Sequence, residues 1–185
     1  MGRPDSATFN ALLDATETVM RNEGYAAATS RRIALEAGVK QQLVYYYFRT
    51  MDELLLATFK RRTERALAAM EENAGSAHPI QSIWANLRNR VDARLVFEFV
   101  ALANHHAGIR AEVARYVTQS RRIEAAAIAR QFARDGIDNG PIGPGAAAFV
   151  MYAVSLLLER ETSTGITEGH DEVRALIDWM LGRLG

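Results

Sequence analysis

Gly38 constrains this chain more than any other residue. It separates two short stretches whose apolar residues recur at helical spacing, Ile33, Ala34 and Ala37 on one side and Val39 and Val44 on the other. Glycine accepts a positive φ without steric penalty, so the backbone can turn sharply at this point. Ala34, four residues earlier, is small enough to let the next helix cross closely. A small residue, three others, a glycine and then a β-branched residue is the pattern of two helices joined by a tight turn.

The remainder of the chain also reads as helix. No stretch alternates with period two, and only four prolines interrupt it. A first helix is expected to follow Asp5 or Ser6, both good N-caps, and to stop at Gly24. Thr29 is expected to cap a second helix that runs to Glu36 or Ala37. A third, short helix should reach about Tyr47, and a long one should run from about Asp52 to Asn73. Further helices are predicted from Pro79 with a stripe of Ile80, Ile83, Trp84, Leu87 and Val91, over 95–102, and over 109–135. Asn104 to Gly108 reads as a corner, and Gly136 to Gly145 as the clearest break. Two last helices are expected over 145–162 and 168–184. The fold class is therefore all-α: an N-terminal three-helix domain over 1–50, and a larger helical bundle over 51–185.

Composition removes several classes of function. Acidic and basic residues number 22 each, so the chain is no wholesale polyanion binder, although a local basic patch remains open. Residues 1–62 carry nine Lys/Arg against seven Asp/Glu, the sign expected of a nucleic-acid module. With no cysteine, thiolate catalysis and Cys-based zinc sites are excluded. The stretch Met1 to Asp5 has no apolar core, so a secretion signal is not expected. The longest nearly apolar run, Ala146 to Leu158, is 13 residues, against the roughly 20 a membrane helix needs. The expected location is cytoplasmic. No nucleophile elbow, phosphate-cradling glycine loop or paired Glu-x-x-His motif is present, so an enzyme is not expected. His105 and His106 invite a metal reading with Glu112, but adjacent residues on a helix point apart, and neither a metal nor a cofactor is expected.

A helix-turn-helix places its second helix in the major groove with its first residues on base edges. Here those residues are Lys40, Gln41 and Gln42. Gln can pair with adenine through two bonds, and Lys with guanine acceptors. Three consecutive tyrosines, Tyr45 to Tyr47, cannot all face one core, because helix neighbours sit about 100° apart. At least one hydroxyl must point outward.

The run Thr29-Ser30-Arg31-Arg32-Ile33-Ala34, then Ala37-Gly38-Val39, Val44-Tyr45-Tyr46-Tyr47-Phe48 and Leu54-Leu55 resembles the TetR family of bacterial repressors. The first helix and its Gly24-Tyr25 ending fit as well, so the resemblance covers roughly residues 8–55. It implies that Thr29, Ser30 and Arg31 touch phosphates, with Arg31 near a base. It further implies that Lys40, Gln41, Gln42 and Tyr46 face the groove and that Tyr45 and Tyr47 hold the backbone. Tyr47 stands where the family usually has His, and Met51 where it usually has Lys, leaving Arg49 as the nearby cation.

The resemblance also implies a ligand-binding domain whose last two helices pair with a second copy. The residues support this separately. Ala146 to Leu158 is apolar on every face, and its outer face needs cover. The interface candidates are Phe149, Val150, Ala153 and Leu157, with Val173, Ile177, Met180 and Leu181 on the last helix. Candidate ligand-lining residues are Trp84, Phe97, Asn104, His105, Tyr116, Phe132 and Tyr152. The expected partners are a near-palindromic DNA duplex, a second copy of the chain, and a hydrophobic or aromatic small molecule that releases a repressor. The alternative is control by a protein partner with no small ligand.

Overall fold

The computed structural model describes residues 6–88, 93–137 and 143–182. Among them the regular structure is entirely helical. The elements are α1 (Ala7–Glu23), a 3-10 turn (Tyr25–Ala27), α2 (Ser30–Glu36), α3 (Gln42–Tyr47), α4 (Met51–Ala74), α5 (Pro79–Arg88), α6 (Ala93–Ala103), α7 (Ala107–Asp135), α8 (Pro144–Ser163) and α9 (His170–Leu181). The all-α expectation holds, with short helix-turn-helix elements first and a larger helical bundle after them.

Local chemistry explains the helix ends. Ser6 Oγ accepts from Phe9 N–H at 3.1 Å and starts α1. Thr29 Oγ1 accepts from Arg32 N–H at 3.2 Å and starts α2. At α4, Thr50 Oγ1 accepts from Glu53 N–H, while the Glu53 carboxylate accepts from Arg49 N–H at 2.8 Å. The other expected cap, Asp5, the stripe position Val91 and Leu184, the expected end of the last helix, lie outside the described residues.

The chain divides into two compact units, Met1–Arg65 with Arg94–Arg115, and Ala66–Ala93 with Tyr116–Gly185. In the first, Leu12, Leu13, Val19 and Met20 of α1 share one core with Ile33 and Ala34 of α2, Val44 of α3, and Phe48. Leu54, Leu55 and Phe59 of α4 belong to it, as do Leu95, Phe99 and Leu102 of α6 and Ile109 of α7. Phe59 and Phe99 stack with ring centroids 4.4 Å apart. Arg61 of α4 reaches Asp14 at 2.6 Å and Glu17 at 3.1 Å on α1. The helix-turn-helix is thus seated on the start of α4.

The second unit packs Ile80, Trp84 and Leu87 of α5 against Ile128 and Phe132 of α7, Ala148, Met151 and Leu158 of α8, and Leu181 of α9. Polar anchors hold it in register. Ser155 Oγ donates to the Leu87 carbonyl at 3.0 Å, and Ile80 N–H donates to Gln131 Oε1 at 3.1 Å. Arg130 donates to the carbonyl of Ala74, the last residue of α4, at 3.0 Å.

One charge is deeply buried in the first unit. Glu112 of α7 is 4% exposed and accepts hydrogen bonds from Arg115 and from Thr63 of α4. Burial works to raise its pKa, but the hydrogen bonds from Arg115 and Thr63 and the charges of Arg115 and Lys60 outweigh it, so the carboxyl titrates below its ordinary value of 4.5. A depressed carboxyl pKa stabilises the fold fully above the unfolded value, and the contribution disappears as pH falls through the folded value. Glu112→Gln should therefore lower unfolding free energy at pH 7 by about 1–3 kcal/mol. The difference from wild type should shrink as pH drops below 4.5. Urea titrations at pH 7 and at acid pH check both statements.

Candidate nucleic-acid interface

The turn between α2 and α3 is closed by backbone bonds on both sides of Gly38. Val39 N–H donates to the Ala34 carbonyl at 2.9 Å, and Gly38 N–H donates to that of Leu35 at 3.2 Å. This is a Schellman ending, which requires a left-handed residue at its centre. Gly38 supplies it with φ +66. The two short helices cross on Ile33, Ala34 and Val44, all buried, with Ala37 and Val39 partly buried against them.

This crossing puts Arg31, Lys40, Gln41, Gln42, Tyr45 and Tyr46 at the surface together with Thr29 and Arg49. Tyr45 and Tyr46 are each 54% exposed. Tyr47 is only partly exposed, and its ring packs edge-on to Phe9 and Tyr46. Its hydroxyl oxygen accepts from Ser6 Oγ at 2.9 Å, which leaves the phenolic proton to donate outward. Phe48 is buried and stacks on Phe9 at 5.0 Å.

The cations divide into anchored and presented sets. Arg32 binds Glu23 at 2.6 Å and Glu36 at 2.8 Å. These bonds, Glu23 first, hold its guanidinium above its ordinary pKa. Arg49 is 80% exposed and makes one long contact to Glu53 at 3.2 Å. Met51 packs against the core of the unit and offers no charge to a phosphate.

Ser30 stands apart from the rest of the expected set. It is 8% exposed, and its hydroxyl meets Gln41 Nε2 at 2.9 Å and the Tyr45 hydroxyl at 3.0 Å. The bond between Ser6 and Tyr47 was also not legible in the sequence, because the partners are 41 residues apart.

The solvent-exposed face of α3, carried by a Schellman turn and flanked by cations, matches a known pattern. Residues 12–58 fit the profile of the bacterial regulatory proteins of the tetR family. Over those residues the chain is similar to the tetR-family regulators. A fatty acid metabolism regulator protein of Bacillus subtilis (strain 168) is 31% identical over 62 residues, which is 34% of this chain. The match spans 32% of that relative's length. Reduced NemR of E. coli has a similar fold, with TM-score 0.78, 16% identity and coverage of 92% of this chain and 95% of that one. A TetR transcription regulator from Haloarcula marismortui ATCC 43049 aligns with TM-score 0.72 at 19% identity, covering 95% of this chain and 97% of that one.

The ligand candidates of this chain fall in different surroundings. In the first unit, Phe97 is half-buried, and Asn104 and His105 are exposed at the corner between α6 and α7. The neighbouring His106 binds Asp52 through Nδ1 at 3.2 Å. Among the described residues no cluster of His, Asp and Glu is placed to hold a metal ion. In the second unit, Phe132 is buried, Tyr152 is partly buried against the core, and Tyr116 is partly exposed. Trp84 is buried, donates to Asp178 at 3.3 Å, and borders an open groove of about 590 Å³ with His78, Gln81 and Leu181. A separate void of only about 20 Å³ lies among Met70, Ala74, Ile83, Asn86, Ile123 and Ala127.

Of the interface candidates, Phe149, Val150, Ala153, Leu157 and Met180 are exposed. Val173 and Ile177 lie partly buried against the unit's own core, and Leu181 belongs to that core. Leu176 and Trp179, which the sequence reading left out of the interface set, are 54% and 56% exposed. Their spacing with Met180 is itself a short apolar stripe, and that was the available signal.

The sequence reading divides this exposed set into base-facing and phosphate-facing residues, and two substitutions test that division. Gln42→Ala should weaken a duplex selected from a random pool by about 1–3 kcal/mol more than unselected DNA. Arg31→Ala should weaken all duplexes and reduce the slope of log affinity against log salt by about 1. Fluorescence anisotropy at several salt concentrations measures both.

Proposed function

We propose that this chain is a homodimeric repressor that binds a near-palindromic DNA operator. The single observation that carries the reading is the Gly38 turn, which presents Lys40, Gln41, Gln42 and Tyr46 on the exposed side of α3. Residues 1–50 carry the DNA contacts, and residues 51–185 carry dimerisation and response. Among the described residues no helix is long and apolar enough to cross a membrane, in keeping with action in the cytoplasm. A two-fold protein reads a two-fold site, with recognition helices about 34–36 Å apart or multiples of that spacing.

The dimer reading is supported by apolar exposure. Phe149, Val150 and Leu157 on α8 and Leu176, Trp179 and Met180 on α9 are each 46% to 56% exposed. A contiguous face of that kind marks an interaction surface, and a face shared by two helices suits an isologous four-helix contact. Leu157→Glu should convert the dimer to a folded monomer and abolish tight operator binding. Sedimentation velocity with circular dichroism checks it; a wild-type chain that sediments as a monomer at micromolar concentration would sink the proposal.

The effector reading is a hydrophobic or aromatic small molecule. It is supported by the mainly apolar lining of the void in the second unit, where Met70, Ala74, Ile83, Ile123 and Ala127 stand beside Asn73, Asn86 and Glu124. Drug-sized ligands occupy about 300–1,000 Å³, so the void of about 20 Å³ must open to admit one. That small volume favours a second reading, control by a protein partner. A thermal-shift screen of apolar compounds separates the two. A true effector raises the melting temperature and weakens operator binding together, because the coupling is reciprocal. A screen without such compounds favours the partner.

A further inference from the structure

Gln41 is exposed at the start of α3, yet its side chain is not loose. Its Nε2 donates to Ser30 Oγ at 2.9 Å, across the turn from α2. The same Ser30 oxygen lies 3.0 Å from the Tyr45 hydroxyl on the next turn of α3. Ser30 itself is buried, so its hydroxyl is shielded from solvent that would compete for these bonds. A serine hydroxyl has one proton and two acceptor lone pairs. Accepting from Gln41 and bonding Tyr45 therefore uses most of its capacity.

This arrangement changes what Gln41 can present. A free glutamine reads adenine through two bonds, amide N–H to N7 and carbonyl oxygen from the N6 amine. Here the amide nitrogen is drawn back toward α2 by its bond to Ser30. The carbonyl oxygen is then the leading group, and it makes no other hydrogen bond among the described residues. An anchored side chain also forgoes the rotamer entropy that a free one loses on binding. Resting on the DNA-binding reading above, we infer that Ser30 and Tyr45 position Gln41 to offer its carbonyl oxygen to the exocyclic amine of adenine or cytosine in the major groove. Ser30 and Tyr45 are positioning residues in this scheme, and Gln41 is the reader.

The test uses the full-length protein and duplexes selected from a random pool, sequenced after binding. The wild type should enrich adenine or cytosine at one position per half-site. Ser30→Ala and Gln41→Ala should each flatten that position by about tenfold relative to the others, and the double variant should lose no more than either alone. Tyr45→Phe, which keeps the ring, should give part of the loss. Two base analogues distinguish the amine from a two-bond contact. Where adenine is enriched, 7-deazaadenine should bind as adenine does, whereas purine lacking the 6-amino group should lose the preference. Cytosine enrichment without guanine or thymine supports the same acceptor.

A loss with 7-deazaadenine overturns the inference in favour of two-bond reading. So does a Ser30→Ala profile that matches wild type or weakens every position equally, the latter being the mark of a merely structural role. If the wild type enriches no sequence, the DNA-binding reading fails as well, which separates the two failures.

Discussion

The left-handed turn at Gly38 is the constraint on which the presented surface depends. A Cβ built there meets no atom within 4 Å, so space is not the issue. The demand is on the backbone, where φ of +66 penalises any L side chain by roughly 1–2 kcal/mol. Without that turn the bonds from Val39 to Ala34 and from Gly38 to Leu35 cannot form together. Ser30 would then no longer face Gln41 and Tyr45, and the exposed side of α3 would lose its internal reference.

A neutral chain presents a cationic face here by tying down its other charges. Arg32 is held by Glu23 and Glu36, Arg61 by Asp14 and Glu17, and Arg115 by Glu112. In these pairs three arginines engage five carboxylates. Arg31 and Lys40, by contrast, are exposed on the helix-turn-helix. Exposed pairs contribute little to stability, so it is the partly buried Arg61–Glu17 pair that joins α4 to α1, while Glu112 and Arg115, both on α7, reach α4 through Thr63. Net charge therefore says little about the local field that a polyanion would meet.

Apolar residues of α8 and α9 show the same economy. Ala148, Met151 and Leu158 serve the core of their own unit, and Phe149, Val150 and Leu157 face away from it. One helix thus supplies two faces, and Arg121 covers part of the outer one by lying 4.8 Å from the Phe149 ring. On α9 the division runs between Val173, Ile177 and Leu181 inward and Leu176, Trp179 and Met180 outward.

Helix positions were legible in the sequence because their causes are local. Ser6 and Thr29 cap within three residues of themselves, and Gly24 and Gly38 end helices through their own φ. The helix-turn-helix was legible for the same reason: its apolar spacing and its glycine lie within one short segment. The roles of individual side chains were not. The sequence makes Ser30 a candidate phosphate contact and Asn104 and His105 candidate lining residues, but it does not show that the Ser30 hydroxyl meets Gln41 and Tyr45 or that Asn104 and His105 lie at an exposed corner. Periodicity identifies a stripe but not which of two stripes on α9 faces the core. The sequence by itself determined the helices, their ends and the sharp turn, since each follows from bonds within a few residues. Only the tertiary structure decided which polar groups spend their hydrogen bonds inside the protein and which remain for a partner, because that depends on residues brought together from distant parts of the chain.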